Sequence, residues 1–201
     1  MIMFEKDDGT RTYHGSSMYD GKAALRYYMT PFDALIDVSR NPAAFVEPGE
    51  SARVYPVDAL RPGTVTTPGN QPMVACVHLA WRARSGRVLI RPDGSPDAVL
   101  STTPELESGN TVLELPAVLA RVVDEVHERA GLYAWRETAR TFDTWRGYEL
   151  RALAEQAWQS VPVMDSDGPE PDFDQFAVYD PEARQWHFVS ALDVMAHCLP
   201  S

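Results

Sequence analysis

Residues 71–91 read QPMVACVHLAWRARSGRVLIR, and no other stretch limits the fold as strongly. Met73, Ala75, Val77, Leu79 and Trp81 alternate with Val74, Cys76, His78 and Ala80. A strand therefore places the first set on one face and the second on the other. Both sets are largely apolar, so such a strand has to be covered on both sides. Ser85-Gly86 then separates it from Arg87-Val88-Leu89-Ile90-Arg91, and two residues with Gly between β-forming runs predict a tight hairpin. The expectation is a long central strand turned back on a short partner, a fold nucleus and not an active site.

Around it the chain reads as α+β, a mixed or antiparallel sheet centred on this long hairpin and flanked by two amphipathic helices. The first of these, 116–130, carries an apolar stripe of Val118, Leu119, Val122, Val126 and Ala130, stopped by Gly131. The second, 144–160, is expected to turn Trp145, Tyr148, Ala152, Leu153, Ala157 and Trp158 inward. Thr30-Pro31-Phe32-Asp33 predicts a helix start: a capping hydroxyl, proline at the first turn and an acid three residues after the cap. Asn41-Pro42 ends that helix. Short strands are expected at 2–6 and 10–14, at 52–55, 98–101, 111–115 and 161–164; residues 22–29 fit a strand or a helical turn equally. A second hairpin is expected at 175–180 and 185–189, then a short helix capped by Ser190 and Asp193. With prolines throughout 42–72, that stretch reads as an irregular wrap. Residues 1–201 are read as a single domain, any subdivision falling near 101–115 or at the acidic linker 165–174.

Charge separates the two halves. The first hundred residues hold 11 acids and 11 bases, the remaining 101 hold 18 and 7, and the whole net charge of −11 sits in the second half. Such a chain lacks the cationic excess that grips nucleic-acid phosphates. No basic region followed by an apolar run opens the chain, and no apolar run approaches about 18 residues. The expectation is a cytoplasmic protein without contact to membranes. Cys76 and Cys198 give no disulfide framework, although the two could meet in space. Cys76, His78 and His197-Cys198 read as core packing, not zinc ligands, and no metal is expected. Asp165 and Asp167 begin like a calcium loop, but Pro169 stands where the next ligand belongs. No nucleophile elbow, phosphate loop, dinucleotide fingerprint or zinc-protease motif is present.

Two functional expectations follow. An acidic second half interleaved with Trp135, Trp145, Trp158, Phe173 and Trp186 suits docking to a basic macromolecular partner, most simply a basic protein surface. The chain would then be an inhibitor, an immunity factor or a nucleic-acid mimic. Asp165, Asp167, Glu170, Asp172 and Asp174 are its contact residues, and no cofactor is needed.

The alternative rests on Tyr13-His14-Gly15-Ser16, followed by Tyr27-Tyr28-Met29-Thr30-Pro31 and Ala34-Leu35. This pattern resembles the opening of the His-Tyr-Glu ADP-ribosyltransferases. The resemblance implies an enzyme using NAD, with His14 on a ribose hydroxyl and the Gly15 backbone on the carboxamide. It further implies Tyr27 or Tyr28 stacked on the nicotinamide, and a glutamate from among Glu105, Glu107 and Glu114 aligning ribose and nucleophile.

Overall fold

The computed structural model describes residues 2–6, 11–13, 15–19, 22–40, 50–54, 73–106, 115–144, 146–168 and 172–198. In chain order the strands of the first half are β1 Ile2–Lys6, β2 Arg11–Tyr13, β3 Gly15–Tyr19 and β4 Lys22–Tyr28. Helix α1, Pro31–Arg40, follows, then β5 Glu50–Val54, β6 Met73–Arg84, β7 Arg87–Ile90 and β8 Ala98–Leu106. The second half contributes α2 Ala117–Arg129, α3 Trp135–Thr141, a 3₁₀ turn Phe142–Thr144 and α4 Gly147–Ser160. It closes with β9 Val163–Asp165, β10 Gln175–Asp180, β11 Gln185–Ser190 and α5 Ala191–Cys198.

The predicted hairpin is the core of the fold. Ser85 and Gly86 both have positive φ, 51° and 71°, and the ladder closes through Arg84↔Arg87 and Ala83↔Val88. Two left-handed residues are what a two-residue turn needs to match the twist of its strands. Residues 22–29, ambiguous in sequence, form β4, because β6 offers it a parallel ladder from Ala23↔Met73 to Tyr28↔His78.

Each residue of β6 has one partner per edge, and the registers show how the edges are shared. Val77 pairs with Tyr27 and Ser101; Trp81 pairs with Ala177 and Ala98. Since β8 occupies one edge at both points, β4 and β10 lie end to end along the other. Near the hairpin turn β7 continues the β8 edge. Beyond these, β3 pairs with β4, β11 with β10, and β9 runs parallel to β7. The result is an open, mixed eight-stranded sheet in an α+β fold, with β2-β1-β5 forming a separate antiparallel sheet.

Both faces of β6 are covered, as its composition requires. On one side Trp81, Ala83 and Val88 pack with Phe32 and Ile36 of α1 and Leu150 and Leu153 of α4. On the other, Val77, Leu79 and Phe176 pack with Val122 and Val126 of α2 and Val194 of α5. Simple alternation puts Trp81 with Val77 and Leu79, and this expectation fails. The β6–β8 register shifts between His78 and Ala80. One extra residue there turns every later side chain to the opposite face. Trp81 accordingly packs against His78, ring centroids 4.3 Å apart.

The helices are where the sequence puts them, with faces partly re-phased. In α4 the buried set is Leu150, Leu153, Ala154 and Ala157, whereas Tyr148 is 64 % exposed and Ala152 also faces outward. Tyr148 stays outside because its ring lies beside the Arg146 guanidinium and its hydroxyl accepts from it. In α2, Val123 and His127 are buried while Val118 is exposed. Helix α3 was not anticipated: WRETART has no apolar stripe and buries no residue. The strand expected at 111–115 lies outside the described residues apart from Leu115, and Trp145 lies outside them as well.

A buried polar group ties β4 to α1. Asp37, 1 % exposed, accepts a hydrogen bond from Arg26 Nη1 at 2.8 Å and another from the Tyr28 hydroxyl. Removing one member of such a pair leaves an uncompensated charge and typically costs about 3–5 kcal/mol. His78, also buried, lies between Tyr28 and Trp81, and neither ring nitrogen has a hydrogen-bond partner. Burial, aided by the Arg26 charge, pushes it down to about 3, so the imidazole is neutral.

Candidate functional site

The two strands that share one edge of β6 do not meet. β4 leaves at Tyr28↔His78, and the β10 ladder ends at Ala177↔Trp81. On that edge no described strand pairs with Leu79 or Ala80, next to the bulge. The carboxyl ends of β4 and β10 diverge here, and the fork between them is a cavity of about 50 Å³. Diverging strand ends are where open sheets offer crevices for ligands.

One wall is the start of α1. Thr30 caps the helix: its hydroxyl oxygen accepts the Asp33 N–H at 3.1 Å and its proton goes to Asp33 Oδ2 at 2.7 Å. Burial pushes the Asp33 carboxyl up to about 6, with Thr30 opposing the shift. The Trp81 indole N–H also favours the charged form, yet it completes no well-formed hydrogen bond. The neighbouring charge of Asp37, one helical turn on, adds to the rise.

The second wall comes from α2 and α3. His127 Nδ1 lies 2.8 Å from the Val123 carbonyl, which fixes the proton on Nδ1 and leaves Nε2 as the acceptor. Burial lowers the pKa of this ring despite that hydrogen bond. The imidazole stacks on Trp135 at 4.4 Å, and Arg136, paired to Asp124, covers Trp135 in turn. Behind the cavity Phe32 stacks on Tyr179 with centroids 5.1 Å apart, and Phe142 extends the apolar wall. Asp180 closes the β10 end; its Oδ1 accepts the backbone N–H groups of Glu182 and Ala183. Among the described residues, no lysine or arginine lines the cavity. Its chemistry is that of an acceptor pair in an apolar cleft.

The described residues among those singled out in the sequence lie elsewhere. Among the transferase set, His14, Glu107 and Glu114 are outside the described residues. Gly15 sits in β3 opposite Leu25, and Glu105 in β8 opposite Val74. Through Ser16↔Ala24↔Val74↔Glu105 the two fall on neighbouring rows three strands apart, roughly 14 Å. Tyr27 and Tyr28 are 4 % and 7 % exposed, and the Tyr28 hydroxyl is committed to Asp37. The ring surface expected to receive a nicotinamide is covered by protein.

In the linker, Glu170 is outside the described residues, and Asp165, Asp167, Asp172 and Asp174 are exposed. They are not spread along a free loop. Asp167 meets Arg84 at 2.7 Å, Asp174 Oδ1 accepts the Ser85 N–H, and Gln175 Oε1 accepts the Gly86 N–H at 2.7 Å. Asp167, Asp172 and Asp174 together raise the Arg84 pKa, the Asp167 hydrogen bond most of all. The described ends of the linker thus clasp the β6–β7 turn.

Cys76 and Cys198 are not joined by a disulfide and are buried in clusters on opposite faces of the sheet. Among the described residues, no group of three or more His, Cys, Asp or Glu is placed to hold a metal ion, and no helix is long and apolar enough to cross a membrane. Sequence reasoning missed Asp33 and His127 as site residues, placing Asp33 only as the acid three residues after a helix cap. Only the pairing of remote strands brings them to one cavity. No protein-family model, curated protein or solved structure matches the chain.

Proposed function

We propose that the chain acts by binding a basic protein surface through the carboxylates gathered at the tip of the central hairpin. The observation that carries this reading is the convergence of Asp167, Asp172 and Asp174 on a single guanidinium, Arg84. Three exposed acids against Arg84 and its cross-strand neighbour Arg87 leave a small surplus of negative charge on a turn whose backbone N–H groups are held by Asp174 and Gln175. A fixed turn presents that charge without the ordering entropy of a free loop. Complementary charge of this kind speeds encounter and selects partners, and it weakens with salt.

Replacing Asp167, Asp172 and Asp174 together by Asn tests the reading. The control exchanges Glu128, Glu137 and Glu155 for Gln, the same change in net charge at exposed sites elsewhere. With decalysine as probe in calorimetry at low salt, the linker variant should bind at least about tenfold more weakly than the wild type, a loss of about 1.4 kcal/mol. The control should change little. Equal losses in the two variants would mean that only net charge matters and that the hairpin tip is not a docking surface.

A further inference from the structure

Among the described residues the fork cavity carries a carboxylate and an imidazole acceptor and no cationic donor. Asp33 gives Oδ2 to the Thr30 hydroxyl, and among the described residues only the Trp81 indole N–H, short of a well-formed hydrogen bond, acts on the rest of the carboxylate. His127, only 8 % exposed, lines the same cavity and spends Nδ1 on the Val123 carbonyl, which leaves the lone pair on Nε2. Asp180 adds negative potential, although its Oδ1 is taken up by the turn. A second anion is unwelcome at this site, because Asp33 already occupies the anion position at the α1 N-terminus. We propose that the fork binds an organic cation, an alkylammonium or guanidinium head group, sharing its N–H groups between Asp33 and His127 with its carbon stem against Phe142 and Tyr179.

Size supports this class of ligand. A cavity of about 50 Å³ holds a head group and a few carbons. Drug-sized ligands and cofactors take roughly 300–1,000 Å³. Charge supports it too, since the described residues of the site supply no cation and a half-buried carboxylate gains most from a charged donor. Asp180 and Gln175 stand at opposite ends of β10, roughly 17 Å apart for a strand of this length. The site therefore stands or falls separately from the hairpin-tip reading.

Calorimetry at pH 7.5 with n-propylammonium, n-propylguanidinium and neutral n-butanol tests the proposal. A cation should bind with Kd near about 1 mM or tighter, n-butanol should not, and Asp33→Asn should weaken the cation at least about tenfold. The Asp167/Asp172/Asp174 variant should bind the cation as the wild type does. Capped lysine and arginine (N-acetyl, N-methylamide) distinguish the sources. Tighter binding of a capped residue assigns the head group to a partner's side chain, tighter binding of the free amine assigns it to a small metabolite, and both sustain the site. Equal affinity for n-butanol, an unchanged Asp33→Asn variant, or absence of heat with every cation at about 20 mM would overturn it.

Discussion

Asp33→Asn should make the protein more stable at neutral pH, although it removes a charge from a helix N-terminus. Burial raises this carboxyl from 3.8 to about 6. Between those values the native state holds a proton that the unfolded chain has released. Stability therefore falls as pH rises through the window, and the loss is complete above about pH 6. At about 1.36 kcal/mol per pKa unit the full shift corresponds to about 3 kcal/mol; partial exposure of Asp33 screens this to about 1–2 kcal/mol. The favourable effect of the α1 N-terminus on the ionised form is already contained in that balance. Asparagine cannot ionise, and its amide oxygen can still accept the Thr30 hydroxyl. Urea unfolding followed by tryptophan fluorescence at pH 4, 5, 6 and 7.5 gives the test. The variant should gain on the wild type as pH rises, reaching about 1–2 kcal/mol at pH 7.5 and nearly nothing at pH 4. A difference that does not change with pH would refute the buried carboxylate, and so would a variant that loses stability at pH 7.5.

His78 should act in the opposite sense on acidification. Its native pKa of about 3 lies below the unfolded value of 6.5, so wild-type stability should fall as pH drops from 6.5 towards 3, by about 1.4 kcal/mol per unit. His78→Phe removes two unpaired buried nitrogens and should flatten that limb while staying within about 1 kcal/mol of wild type at pH 7, as read from urea midpoints. At the hairpin turn, Ser85 holds φ 51°, a conformation asparagine adopts more readily. Ser85→Asn should raise stability by about 0.5 kcal/mol with an unchanged denaturant slope; destabilisation would show that the serine hydroxyl contributes to the turn.

Much of the scaffold is legible because its signals are local. Thr30-Pro31-Phe32-Asp33, Ser85-Gly86 and Ser190 each announce their element within four residues, and α1, the central hairpin and α5 form where expected. The Ser190 hydroxyl accepts the Asp193 N–H, as the capping pattern predicts. What is not local is not legible. The bulge that turns Trp81 over depends on how β8 pairs, and neither strand names it. The face of α4 was mis-phased because Tyr148 has an apolar ring with a polar tip, and in this chain the tip and Arg146 keep it outside. The fork is the extreme case. Asp33, His127 and Asp180 belong to three separate elements, and each has an ordinary structural role in its own element.

Sharing one edge of β6 between β4 and β10 has a consequence for how the molecule is made. On that edge Trp81–Ala83 find their hydrogen-bond partners in Gln175–Ala177, made only after α2, α3 and α4. During synthesis the hairpin emerges with that stretch of edge bare, and it stays open to any other strand until β10 is made. A chain cut short before β10 should therefore be prone to self-association even with its first half correctly paired, and the fork cavity cannot exist until β10 supplies its wall.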